Sequence, residues 1–175
     1  MSAAENIRRD ETQERASFIT VHDYDVALDL SRQAEGTTTF GSRTTTRFGA
    51  EGDAVALAAG TWVDLIAQTL HRVTLNGEDL DPDDLYDGAR LQLPHLQEQN
   101  TLSIDGEALY SSTGEGLHRF TDPADGEVYL YSQFEVPDSR RVFAVFEQPD
   151  LKATFRFSVT APVSYTHLTL PTTPY

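Results

Sequence analysis

The chain of 175 residues contains no cysteine. That excludes disulfides, cysteine-ligated zinc, iron–sulfur clusters and thiol nucleophiles. It leaves the compartment open, because a secreted domain need not contain cysteine. Basic side chains are scarce: 13 Lys and Arg stand against 28 Asp and Glu, for a net charge of −15. Such a chain repels phosphate backbones and anionic lipid, so nucleic acid and membrane surfaces are not expected partners. No apolar run approaches ~20 residues, the length that spans a bilayer. Met1-Ser2-Ala3-Ala4-Glu5-Asn6 lacks a basic region followed by an apolar one, so no signal peptide is read there. The acidic charge balance suits a soluble protein in the cytoplasm.

What is present supports one globular domain. A 10% share of aromatic residues can supply a core. Residues 1–17 are charged, without Gly or Pro, and read as a short helix with a thin apolar stripe that docks on the body or frays. From His22 the period changes to two: Tyr24, Val26, Leu28 and Leu30 alternate with Asp23, Asp25, Ala27 and Asp29, a half-buried strand. The Thr-rich stretch from Gly36 to Phe48 is strand-favouring, with a bend or bulge expected at Gly41. Ala54–Leu57 and Trp62–Ile66 read as short strands. Val73-Thr74-Leu75-Asn76-Gly77-Glu78-Asp79-Leu80 is a hairpin, because both positions of a two-residue turn need positive φ and Asn-Gly tolerates it. Pro82 can start a single helical turn. Arg90–Leu93, Asn100–Ile104, Val128–Phe134 and Leu151–Val159 are further strands. Gly114–Gly126 reads as a loop, and 138–145 as one short helix. The expected fold is all-β: a saddle-like curved double sheet or sandwich of about eight to twelve short strands, occupying residues 18–162.

Residues 163–175 contain no acidic side chain, in a chain dominated by them. They resemble a translated sequencing-adapter tail; a natural Pro/Thr-rich linker is the other reading. Under either, they stay outside the fold.

Known chemical signatures are few. His22, His71, His95, His118 and His167 show no i, i+4 pairing and no cluster, so no metal site is expected. There is no nucleophile elbow, phosphate loop or dinucleotide fingerprint. Asp81, Asp83, Asp84 and Asp87 lack the order of a calcium loop and read as a solvated acidic turn. Gln133 and Glu135 lie two apart, so on an extended chain they share one face with Tyr129 and Tyr131. By spacing alone this is an ordinary solvent face.

The wider segment says more. Tyr131-Ser132-Gln133-Phe134-Glu135, then Pro137-Asp138-Ser139-Arg140-Arg141-Val142-Phe143, then Phe146-Glu147-Gln148-Pro149-Asp150-Leu151-Lys152-Ala153 resembles the N-terminal domain of the aminopeptidase N family of zinc metallopeptidases. Ser112-Thr113-Gly114-Glu115-Gly116-Leu117-His118-Arg119-Phe120, the Asn76-Gly77 hairpin and Tyr24–Leu30 add to the likeness, which runs over about residues 5 to 162 and points to the actinobacterial branch. The resemblance implies a β-rich domain that closes over a zinc-bearing catalytic domain. It implies that Glu135 binds the free α-ammonium of a peptide substrate and that Gln133 lines the pocket for the first side chain. Glu147, Asp138, Arg140 and Arg141 are expected to hold the loop rather than touch substrate. The G-A-M-E-N loop, the H-E-x-x-H helix with its distal Glu, and the stabilising Tyr of that family are absent here. The chain is therefore expected to lack catalytic residues, to bind no zinc and to hydrolyse nothing alone. Its partners would be peptides with a free N-terminus and the missing catalytic domain of the same polypeptide. A free-standing β-sandwich module that binds protein or carbohydrate through Tyr129 and Tyr131 is the competing reading.

Overall fold

The computed structural model describes residues 8–32 and 36–162. The early part of the expected N-terminal helix, His167 and the whole 163–175 segment lie outside the described residues. Within them the chain forms ten strands, three short helices and one 3₁₀ turn. In chain order these are α1 (Arg9–Phe18), β1 (Ile19–Asp29), β2 (Thr39–Ala50), α2 (Ala54–Ala59), β3 (Thr61–Asp64), β4 (Thr69–Leu75), β5 (Glu78–Leu80), α3 (Pro82–Leu85), β6 (Arg90–Leu93), β7 (Gln99–Leu109), β8 (Gly116–Thr121), β9 (Val128–Gln133), the turn Ser139–Arg141, and β10 (Thr154–Thr160). The domain is all-β and sandwich-like.

A six-stranded sheet in the order β10-β1-β2-β7-β4-β5 forms the main layer. It is antiparallel except for β10, which pairs with β1 in parallel. Two ribbons, β3–β6 and β8–β9, complete the strands. The core lies between the main sheet, the β3–β6 ribbon and the segment Val142–Phe146. Tyr24, Val26, Phe40, Phe48, Val73, Leu102 and Ile104 come from the sheet, and Val63, Leu91, Leu93, Val142 and Phe146 from the opposing side. Phe48 and Phe146 meet edge to face at 5.2 Å. The Tyr24 hydroxyl accepts the Phe146 N–H at 3.0 Å, so a polar bond crosses the same layer.

Several expectations are corrected. Ala54–Leu57 is helical, not extended: the Asp53 carboxylate accepts from the N–H groups of Val55 and Ala56 and caps a run of good helix formers. The irregularity expected at Gly41 lies instead between Val21 and Asp23. There the buried parity switches from Ile19 and Val21 to Tyr24, Val26 and Leu28, the effect of one extra residue in a strand. Gly41 sits in regular register with Asp29 and Glu107; its lack of a side chain accommodates the Asp29 Cβ, which an added Cβ would meet at 3.2 Å. Gly114–Gly126 is not all loop: β8 pairs with β9 from Gly116↔Gln133 to Thr121↔Val128. Gly114 and Glu115 bend into β8, and Asp122–Gly126 turns out of it, closed by Gly126 N–H to Asp122 O at 2.8 Å. The short helix expected over 138–145 shrinks to Ser139–Arg141. The Asn76-Gly77 turn has φ of 56° and 86°, as the hairpin reading requires.

Gly60 ends α2 with φ 76°, and a Cβ there would sit 2.0 Å from the Leu93 carbonyl oxygen. Gly126 has the same φ of 76° with nothing near. Gly60→Ala is therefore expected to cost ~2 kcal/mol or more, and Gly126→Ala about 1 kcal/mol. Urea unfolding of both variants checks the difference.

Candidate functional site

Strand β9 delivers the candidate site to the end of the β8–β9 ribbon. Gln133 is its last residue, and Glu135 follows in the turn. Both side chains are exposed, with half-buried Phe134 between them. The Glu135 N–H donates to Gln133 Oε1 at 3.1 Å, and Gln133 Nε2 donates to Glu135 Oε2 at 3.4 Å. The two polar ends thus lie side by side on an exposed rim. The Val136–Pro137 peptide bond is cis, and Asp138 N–H closes the turn onto Glu135 O at 2.9 Å.

The rest of the segment fastens this turn. Arg141 Nε donates to Asp138 Oδ1 at 2.9 Å, and Arg140 Nε to Pro137 O at 3.0 Å. The Arg140 N–H donates to Glu147 Oε2 at 2.7 Å. Glu147 is buried, and desolvation, with the nearby Asp64 charge adding to it, raises its carboxyl above the ordinary range. Its own N–H donates to Asp64 Oδ2 at 3.1 Å. Asp138, Arg140, Arg141 and Glu147 thus bond within the segment that carries the turn.

Residue-by-residue reading of the sequence missed the anchor beneath. Arg15 and Asp64 form an ion pair at 2.9 Å with both side chains at 0% exposure. Arg15 Nε donates to Gln148 Oε1 at 2.9 Å, and Gln148 Nε2 donates back to Thr12 O at 2.9 Å. Arg90 forks onto Glu11 with two bonds of 2.9 Å. That contact, chiefly the hydrogen bonds from Arg90, holds the Glu11 carboxyl down to about 2. Both guanidinium carbons lie 4.8 Å from the Trp62 ring centre. The available signal was Asp64 itself, an acid inside the apolar run Trp62-Val63-Asp64-Leu65-Ile66, which demands a buried partner.

Other candidates resolve into structural roles. Asp81 caps α3 through the Asp83 N–H, and Asp87 accepts from the Ala89 and Arg90 N–H groups, so two of the four loop carboxylates bond the loop's own backbone. Tyr131 stacks on His118 at 4.6 Å, and the Tyr129 hydroxyl donates to Asp125. Among the described residues no three His, Asp or Glu side chains converge to hold a metal ion. The described residues therefore do not fit a zinc site. No described helix is long and apolar enough to cross a membrane.

A broad apolar surface flanks the site. Phe155 and Phe157 on the edge strand β10 are 43% and 46% exposed, and Val136, Val159 and Phe120 are also open. A groove runs between this surface and the turn, lined by Phe134, Val136, Glu147, Leu151 and Phe155.

Residues 21–169 match the peptidase M1 N-terminal domain. The chain belongs to that family. It is 48% identical over 170 residues to aminopeptidase N of Streptomyces lividans, covering 97% of this chain and 19% of that protein. It is 44% identical over 59 residues to a probable M1 family aminopeptidase 1 of Encephalitozoon cuniculi, covering 34% of this chain and 6% of the relative. This M1 N-terminal domain thus spans about a fifth or less of the curated relatives it matches. Native leukotriene A4 hydrolase of Saccharomyces cerevisiae superposes with a TM-score of 0.67 at 19% identity, over 93% of this chain and 26% of that one. Legionella pneumophila aminopeptidase A, solved with aspartic acid, gives 0.64 at 17% identity, over 81% and 16%. At those identities the likeness concerns the fold alone.

Because the Glu147 carboxyl is raised, its contribution to stability is fullest below the ordinary value of 4.5 and falls as pH rises through its folded value. Glu147→Gln keeps an acceptor for Arg140 and removes that slope. Urea midpoints measured from pH ~4 to ~8 should fall with pH in the native chain relative to the variant.

Proposed function

We propose that this M1 N-terminal domain supplies the α-ammonium contact of a zinc aminopeptidase that removes N-terminal amino acids from peptides. The observation that carries the reading is Glu135: an ionisable, exposed carboxylate on a fastened turn, beside Gln133 and a strip of open apolar surface. An exopeptidase must recognise a terminal positive charge. A carboxylate does so well once a second wall excludes water, and such a charge-assisted bond contributes on the order of 1.5–3 kcal/mol. Gln133, alongside, contacts the first side chain of the peptide. The exposed Phe155–Phe157 strip supports a neighbouring domain as that wall.

The zinc and the water-activating groups belong, in this reading, to a catalytic domain outside these residues. The chain alone is therefore inactive, and its partners are peptides with a free N-terminus together with that domain. A cytoplasmic location is part of the same reading and rests on the acidic charge balance. The competing module hypothesis relied on Tyr129 and Tyr131, and both already have partners within the ribbon.

In the full-length enzyme, Glu135→Ala should lower kcat/KM by ~10- to 1,000-fold, since losing the contact also misplaces the scissile bond. Unchanged kinetics would remove Glu135 from the site. Chelator-sensitive hydrolysis of an aminoacyl-nitroanilide by the purified 175-residue chain would contradict its inactivity.

A further inference from the structure

Helix α1 carries a mostly charged sequence, yet its Arg15 is completely enclosed. Burying a guanidinium costs several kcal/mol unless its partners are well placed, so its contacts identify what it organises. One contact goes to Asp64 Oδ2 at 2.9 Å, and another to Gln148 Oε1 at 2.9 Å. Asp64 Oδ2 also accepts the Glu147 N–H at 3.1 Å. Arg15 therefore grips two consecutive residues, directly at Gln148 and through Asp64 at Glu147. Glu147 Oε2 then accepts the Arg140 N–H at 2.7 Å, and Asp138 N–H reaches Glu135 O at 2.9 Å.

We infer that Arg15 is a positioning residue for Glu135: through Asp64, Gln148 and Glu147 it sets the turn on which the substrate-binding carboxylate stands. This rests on the reading of Glu135 as the α-ammonium contact. The physical reason is charge. Without Arg15, the Asp64 carboxylate keeps only the longer contact to Arg90 at 3.8 Å and loses the cation bonded to its Oδ2, the oxygen that meets the Glu147 N–H, so its repulsion of the buried Glu147 carboxylate grows and the pair must separate or take up a proton. Either response moves Glu147, and the Arg140 amide moves with it. The helix at the start of the chain is thus mechanically joined to a turn more than a hundred residues later in sequence, as the Arg15–Gln148 separation of 133 positions illustrates.

A plain anchoring role for α1 is the alternative, and two measurements separate it. In amide hydrogen exchange on the 175-residue chain, Arg15→Met should lower protection at Arg140 and Asp138 by ~10-fold more than at Asn76, whose N–H bonds Thr101 O in a distant hairpin. Arg15→Lys, which restores the cation, should recover part of that loss. Should Arg15→Met not fold, Glu147→Ala decides: by removing the acceptor of the Arg140 N–H it must loosen Arg140 and Asp138 while leaving Asn76 protected. Protection at Arg140 and Asp138 that stays native, or falls only as far as Asn76, overturns the inference.

In the full-length enzyme a double-mutant cycle completes the test. Arg15→Lys should lower kcat/KM ~10-fold alone and have no further effect in the Glu135→Ala background. Fully additive losses overturn the relay. A neutral Glu135→Ala would instead defeat the substrate-contact reading, leaving the exchange result to judge the coupling of Arg15 to the turn.

Discussion

An arginine and an aspartate with no solvent exposure, 2.9 Å apart, tie the N-terminal helix to the end of β3 and the segment before β10, which the Asp64–Val145 β-bridge already joins to each other. Arg15 comes from the N-terminal helix, Asp64 from the end of β3, and their common neighbours Glu147 and Gln148 from the segment before β10. Replacing such a pair by apolar residues can be neutral in other proteins, whereas removing one member alone is costly. The pair is thus better understood as fixing one arrangement than as a large net source of stability. Trp62 supports it, with both nearby guanidiniums at 4.8 Å from its ring.

The division of labour around this anchor follows from solvation. Carboxylates below the turn, Asp64 and Glu147, are buried; Asp64 Oδ2 accepts from Arg15 and the Glu147 N–H, and Glu147 Oε2 from the Arg140 N–H. The carboxylate above it, Glu135, is left in water with only Gln133 beside it. A site that must capture a cation needs an ionised acid whose geometry is set by others. The apolar strip on β10 fits the same arrangement. A parallel edge strand with Phe155 and Phe157 open to solvent is an unfinished surface, and covering it would also desolvate the Glu135 rim.

Much of the fold was legible because it rests on short-range patterns. The alternation in Tyr24–Leu30, the Asn76-Gly77 turn and the Pro82 helical start each carry their own signal, and each is found in place. Failures occurred where a single residue decides between equal patterns. Ala54–Leu57 is apolar enough for either state, and the Asp53 cap selects the helix. The Gly-rich look of Gly114–Gly126 concealed Leu117, which is buried, and a regular β8 partner for β9. Of the site, Gln133 and Glu135 came from a family likeness; their spacing alone marked only a solvent face. The Arg15–Asp64 anchor was beyond local reading, because its members lie 49 positions apart and only the folded chain pairs them.

The central claim is that Glu135 reads a positive charge. It is tested most directly by comparing, in the full-length enzyme, a peptide substrate bearing an α-ammonium with its α-hydroxy counterpart. The native enzyme should favour the ammonium form, and Glu135→Gln, which keeps shape and loses charge, should erase ~10-fold or more of that preference in kcat/KM. A preference that survives Glu135→Gln intact would contradict the account.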